Sequence, residues 1–413
     1  MAAGTQLETE NLQGSEPGIA EFMLSARVWE QAVPIRDWLV NEAALVEDAG
    51  AAFDGFCERL LDAGVPLDRA ALSVEVLHSE NSGIGWFWNP GDASEQRIFP
   101  YGAVTAEMYE ASPLHHVHQS GEWLNLWLAD TPDNMFGIVP DLKADGFAQY
   151  LCVPMPFRST NANAVTFATC NAEGFSEFDI ALLRAIMPAL RVTAEVIALN
   201  NRIATVLKTY VGREPQKLIL GGDIHRGEIM RIRSAILFVD MRGFTSHSMA
   251  MKADEVAEFL NRYYDCIVPG VEANGGEVLK FIGDGVLAIF RTGEDTEAQA
   301  CRNALAAARD ILDAVNRERQ RGPGPRFDVK VALHIGDAAY GNVGSGQRLD
   351  FTVIGKGVNI ASRLTDLCGE LQRRLLVSSD FRDRLRDELE FVPAGIWELR
   401  GIARKQDVYE PPV

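Results

Sequence analysis

Apolar positions recur at helical spacing over residues 20–63. Trp38, Leu39, Ala43, Leu45, Val46, Ala52, Phe53, Phe56, Leu60 and Leu61 form one stripe, and Gly64 ends it. Short strand-like runs follow: LSVEVLH (72–78), GIGWFWN (83–89), YLCVPMPF (150–157) and AVTFATC (164–170). Turn residues Asn81, Ser82 and Gly83, then Pro90 and Gly91, separate some of them. Residues 175–201 predict a long helix, opened by Ser176 with Asp179 three residues on in the pattern of a capping box, with Pro188 placed to kink it. Beyond the proline, Val192, Val196, Leu199, Ile203, Val206 and Tyr210 alternate steps of four and three, as a coiled-coil seam does. The run is short, and packing of this stripe on its own domain is the alternative.

Residues 212–233 form a polar, glycine-containing connector and mark a domain boundary. Strands and helices then alternate. A buried strand is predicted at 235–241, a helix at 255–274, and a hairpin at 277–290 with Gly283, Asp284 and Gly285 at its turn. A helix at 298–320, strands at 327–344 and 350–355, and a helix at 356–368 complete the pattern. This mixture predicts helices against an antiparallel sheet, an α+β class.

A length of 413 residues suits two domains, and a 47% hydrophobic content supplies a core for each. The net charge of -19 argues against a nucleic-acid partner and against an anionic membrane surface. No apolar run is long enough to cross a bilayer. The first residues are polar and acidic without an apolar segment, so they read as a disordered leader rather than a secretory signal. The six cysteines show no CxxC spacing, which gives neither a zinc nor a redox motif and fits a reducing cytoplasm. Cys57, Cys152 and Cys170 read as buried small hydrophobes, with chromophore attachment at Cys152 or Cys170 the less favoured reading. Trp86, Trp88, Trp123 and Trp127 read as core packing before pocket lining. His115, His116 and His118 read as exposed loop histidines, because no acidic or cysteine partner stands at metal-ligand spacing.

Three segments carry candidate chemistry: FVDMRGFT (238–245), LKFIGDGVLAIF (279–290) and DFTVIGKGVNIASRL (350–364). Asp240 ends an apolar strand and Asp284 sits at a hairpin turn, where two carboxylates can meet to hold hard divalent cations. The plain alternative is a cap and a turn residue. In order and content the segments resemble the signatures of class III adenylate and guanylate cyclases over residues 230–411. The resemblance implies a ferredoxin-like α+β catalytic domain that cyclises a nucleoside triphosphate with two Mg²⁺ or Mn²⁺ ions per site. It adds the backbone carbonyl of Met241 as a metal ligand. It assigns base reading to Lys280 and Thr352. A lysine donor suits adenine N1 and a threonine hydroxyl can accept from N6, whereas guanine reverses both polarities, so ATP is expected. By the same resemblance Asn359 orients the ribose and Arg363 neutralises charge on the reacting phosphate. Arg400, Arg404 and Lys405 are three open candidates for the β- and γ-phosphates. Asp240 and Asp284 would come from one subunit and Lys280, Thr352, Asn359 and Arg363 from another, so a homodimer would hold two sites. Thr352 places the chain beside a Thr-bearing subclass, some of whose members respond to bicarbonate. Guanylate cyclase and an inactive regulatory module of the same fold are the alternatives.

EGFSEFDIALLRAIMPAL (173–190), after YLCVPMPF and AVTFATC, resembles the closing strands and helix of a GAF domain, which implies an α/β sensor for a small molecule the sequence does not name. The expected plan is a leader over 1–19, a GAF-like sensor with a terminal signalling helix over 20–201, a helical linker over 202–232, and a cyclase domain over 233–411.

Overall fold

Asp48 divides the first helical stripe in two. The computed structural model describes residues 19–412, except 79, 159–161, 223–224, 226, 228, 293–295, 322–325 and 346–348. The leader expected over 1–19 therefore lies outside the described residues, save Ile19, which opens a helix. That helix, α1 (Ile19–Asn41), gives way to a short 3₁₀ turn, and α2 (Ala49–Asp62) starts where the Asp48 carboxylate accepts from the Gly50 N–H at 2.8 Å. A capping side chain inside the predicted helix is why one stripe becomes two elements.

The chain continues through β1 (Arg69–Glu75), β2 (Asn81–Trp88), β3 (Glu95–Pro100), α3 (Ala103–Glu110), α4 (Pro113–Ser120), β4 (Leu124–Trp127), α5 (Val139–Ala144), β5 (Gln149–Pro154) and β6 (Ala164–Thr169). It then enters α6 (Glu177–Val211). The six strands form an antiparallel sheet in the order β3-β2-β1-β6-β5-β4. Both faces of its centre are covered. Leu151 and Val153 of β5 pack with the helices α1, α2 and α6, while Tyr150 and Cys152 pack with Val117 of α4 and Leu142 of α5. Strand alternation with two buried faces explains the unbroken apolar run the sequence shows there.

Trp86 and Trp88 are core residues, Trp123 packs at the core's margin, and Trp127 is exposed. Cys170 differs from expectation. It follows the last residue of β6, its N–H donates to Asp68 at 2.7 Å, and its side chain is exposed. The three histidines also differ, since they lie on α4 and not in a loop. Ser112 caps that helix, Pro113 opens it, and Gly121 at φ 71° closes it.

The capping box at α6 forms as expected. Asp179 accepts from the N–H and hydroxyl of Ser176, which accepts in turn from the Asp179 N–H. The helix runs through Pro188 without ending. Val192, Val196, Leu199, Ile203 and Tyr210 are exposed and Val206 is half-buried, so most of the stripe is not buried on its own domain.

The chain divides into two compact units between Val206 and Leu207. The expected connector holds a helix, α7 (Arg213–Gly221), and the following strand begins well before residue 235. Gly212 at φ 92° separates α7 from α6, a turn that glycine takes without strain. The second unit then runs β7 (Ile229–Met241), α8 (Phe244–Ser248), α9 (Ala253–Ala273), β8 (Glu277–Ile282), β9 (Gly285–Arg291), α10 (Glu297–Arg319), β10 (Val329–Gly344), β11 (Leu349–Ile354), α11 (Lys356–Glu370), β12 (Leu375–Ser378), α12 (Ser379–Leu385), β13 (Val392–Trp397) and β14 (Gln406–Glu410). The sheet order is β13-β14-β12-β10-β7-β9-β8, with β11 beside β10. Every pairing is antiparallel except β10 with β12.

Leu237 and Val239 turn towards Phe259, Tyr263 and Ile311 of α9 and α10, while Ile236 turns to the opposite face with Ala361 of α11. The second unit is thus a mixed α+β fold with helices on both faces. Among the described residues, no helix is long and apolar enough to cross a membrane.

Candidate active site

The apolar run of β7 seats that strand between β10 and β9, and the run ends in Asp240 and Met241. Val239 pairs with Val286 of β9, so the β8–β9 turn comes level with the end of β7. Ile282 pairs with Gly285, which leaves a two-residue turn of Gly283 and Asp284 and puts Gly285 in the strand. Gly283 has φ 61°, a conformation that favours glycine.

This register brings the two candidate carboxyls together. Asp284 lies close enough to Asp240 to feel its charge, and the Asp284 carboxyl is pushed up to about 6. Burial is the larger cause and the charge of Asp240 the next, with the Lys330 ammonium opposing. Lys330 stands opposite Asp240 on β10 and forms an ion pair with it. Two tyrosines of α9 hold the turn by its backbone. The Tyr263 hydroxyl donates to the Asp284 carbonyl at 2.8 Å and the Tyr264 hydroxyl to the Gly283 carbonyl at 2.5 Å. Burial and the charges of both aspartates push the Tyr263 phenol well up, so it stays a donor.

Two carboxylates held this close repel, and a partly buried ammonium already sits against one of them. A divalent cation suits that donor set. Among the described residues, no three His, Cys, Asp or Glu side chains converge. Further oxygens would have to come from backbone carbonyls, such as that of Met241, and from a bound substrate.

Lys280 of β8 reaches β11, where its ammonium pairs with Asp350 at 2.5 Å. Thr352 lies two residues on, on the same strand face, opposite Gly341 of β10. Lys280 and Thr352 therefore address one surface, with Asp350 as a neighbour the sequence reading had not singled out. Asn359 and Arg363 share the exposed face of α11, away from its buried Ala361, Leu364 and Cys368. Within the chain Arg363 pairs with Asp366 at 3.0 Å, not with Asp240 or Asp284. Arg400, Arg404 and Lys405 are exposed on the β13–β14 connection, and Lys405 pairs with Glu398 at 3.1 Å.

Of the histidines on α4, His116 is exposed, while His115 and His118 pack against the ring of Tyr109, whose hydroxyl lies 2.9 Å from His118 Nδ1.

Residues 232–410 match the adenylate and guanylate cyclase catalytic domain. The cyclase-like region holds Asp240, Met241, Lys280, Asp284, Thr352, Asn359, Arg363, Arg400, Arg404 and Lys405, and not the histidines of α4. The adenylate cyclase of Anabaena cylindrica is 36% identical over 160 residues, covering 38% of this chain and 31% of that protein. Adenylate cyclase 1 of Rhizobium meliloti is 31% identical over 228 residues, covering 52% and 34%. The chain thus spans about a third of the length of these curated relatives. Among solved structures, a bacterial light-regulated adenylyl cyclase aligns over 56% of this chain and 64% of its own, with 25% identity and a TM-score of 0.45.

Proposed function

We propose that the C-terminal unit is an adenylate cyclase, acting on ATP at sites completed by a second copy of the chain. The meeting of Asp240 and Asp284 at the end of β7, inside the cyclase-like region, carries this reading. The two carboxylates and the Met241 carbonyl would hold Mg²⁺ or Mn²⁺. Two such ions supply activation of an attacking hydroxyl and neutralisation of the departing phosphate. Lys280 donates to adenine N1 and Thr352 accepts from N6. Asn359 orients the ribose, Arg363 offsets charge on the α-phosphate, and one of Arg400, Arg404 and Lys405 holds the outer phosphates. The ribose 3′-oxygen bonds to the α-phosphorus, the bond to the β-phosphate oxygen breaks, and pyrophosphate leaves while the hydroxyl proton passes to water.

Arg363 pairs with Asp366 inside its own chain, which supports a site formed between subunits. The exposed stripe Val192, Val196, Leu199 and Ile203 supports parallel pairing of α6 in the same homodimer. The N-terminal unit would serve as a GAF-like sensor for a small molecule, and bicarbonate is a candidate effector at the cyclase. The six free cysteines support a reducing, cytoplasmic setting.

The test is product analysis with manganese and either ATP or GTP. The proposal expects 3′,5′-cyclic AMP, with ATP preferred about tenfold or more and the preference narrowed in Lys280→Glu. Preferred conversion of GTP would make the protein a guanylate cyclase. Absence of any cyclic product would leave the regulatory-module reading.

A further inference from the structure

The N-terminal unit holds a pocket of about 310 Å³, open to solvent on one side, between its sheet and the helices α1, α2 and α6. Its apolar wall is made by Leu39, Phe53, Leu72, Trp86, Leu190 and Ile197, all buried. The space exists because small side chains stand where large ones would close it: Ala49 and Ala52 on α2, and Ala194 and Ala198 on α6. Protein interiors rarely keep voids larger than a water molecule, and cavities of a few hundred Å³ are the size of ligand sites.

Polar groups gather on one side of the wall. His78, Asn81, Gln96 and Asn201 are exposed or half-buried there. The Glu80 N–H donates to His78 Nδ1 at 3.1 Å, which makes Nδ1 the acceptor and leaves Nε2–H as a donor. Glu75 and Arg202 bring one negative and one positive charge, and an Arg202 Nη donates to the Glu75 carbonyl at 3.1 Å. The lining therefore has no net charge to select an ion.

We propose that this cavity is a binding site for an uncharged, mainly apolar small molecule with one hydroxyl or carbonyl head. Its volume holds about ten to fifteen non-hydrogen atoms at the packing density of an interior. The apolar body fills the gap left by the alanines, and the head meets the His78 and Asn81 side. The ligand would rest directly on α6, whose Leu190, Ala194 and Ile197 line the cavity while Val192, Val196 and Leu199 form the exposed stripe on another face. The site deepens the sensory reading of the N-terminal unit. Its test needs no turnover, so failure of the cyclase assay and failure of this site are told apart.

The experiment is calorimetric titration of the full chain with 2-naphthol and 1-octanol as neutral probes and 2-naphthoate as the anionic one, with thermal melts alongside. At least one neutral probe should bind saturably, once per chain, and raise Tm by a few degrees. 2-Naphthoate should bind at least tenfold more weakly than 2-naphthol. Ala194→Leu and Ala52→Leu fill the space from opposite walls, and each folded variant should lose at least tenfold in affinity without a fall in unliganded Tm. The site is overturned if neither neutral probe saturates the natural chain, or if binding survives unchanged in both leucine variants. Tighter binding of 2-naphthoate would overturn the assignment to uncharged ligands.

Discussion

Lys330 stands directly across the β7–β10 ladder from Asp240 and pairs with its carboxylate. Both side chains are largely buried, at 16% and 25% exposure. A cross-strand pair of this kind fixes the direction of Asp240 towards the β8–β9 turn, and it places a monovalent cation beside a candidate divalent site. Replacing Lys330 by Met leaves a partly buried carboxylate without its partner and should cost about 1–3 kcal/mol of stability. Saturating manganese should then raise Tm more in Lys330→Met than in the natural chain, because the metal takes over the lost countercharge. Equal metal-induced shifts in thermal melts would argue against a cation site at Asp240.

The close approach of Asp240 and Asp284 stores repulsion that folding has to absorb. Asp284→Asn removes one charge and keeps the shape of the turn, which Tyr263 and Tyr264 hold through backbone carbonyls. Tm without metal should be unchanged or higher, while cyclic AMP formation should fall on the order of 10³-fold or more. A variant with a lowered Tm and near-normal turnover would make Asp284 a structural turn residue.

His334 is buried, its Nδ1 lies 2.8 Å from the Ser378 hydroxyl, and burial pushes its imidazole down to about 4. Asp380 opposes that shift and Arg233 adds to it. The fold keeps a neutral ring that the unfolded chain would protonate near pH 6.5. The contribution is present above that pH and is lost as pH falls towards 4, by roughly 3 kcal/mol. Denaturant unfolding across this range should show the slope, and His334→Gln should flatten it. An unchanged slope in the variant would assign the acid sensitivity to other groups.

The two aspartates, the hairpin between β8 and β9, and the capping box of α6 were legible because each rests on contacts close in sequence or on strand-end placement. Lys330 and Asp350 carried no such signal. Their partners Asp240 and Lys280 lie far away in the chain, and only the registers of β7 with β10 and the approach of β11 to β8 bring them close. Tyr263 and Tyr264 read as helix residues until the turn they hold is in place. The break at Asp48 and the helix at Pro113–Ser120 were written in cap residues, Asp48, Ser112 and Gly121, which the apolar stripe and the histidine cluster overshadowed. Strand β3 is mostly exposed and carries Glu95 and Arg97, as edge strands do, so it lacks an alternating apolar pattern.

The central claim is that acidic groups of one subunit and the arginine of another make one site. Mixing Asp284→Ala with Arg363→Ala, each inactive alone, tests it most directly by cyclic AMP formation after subunit exchange. A shared site predicts recovery to about one quarter of the natural rate, since half the dimers are mixed and each mixed dimer has one intact site. Demonstrated exchange with no recovery would contradict the account.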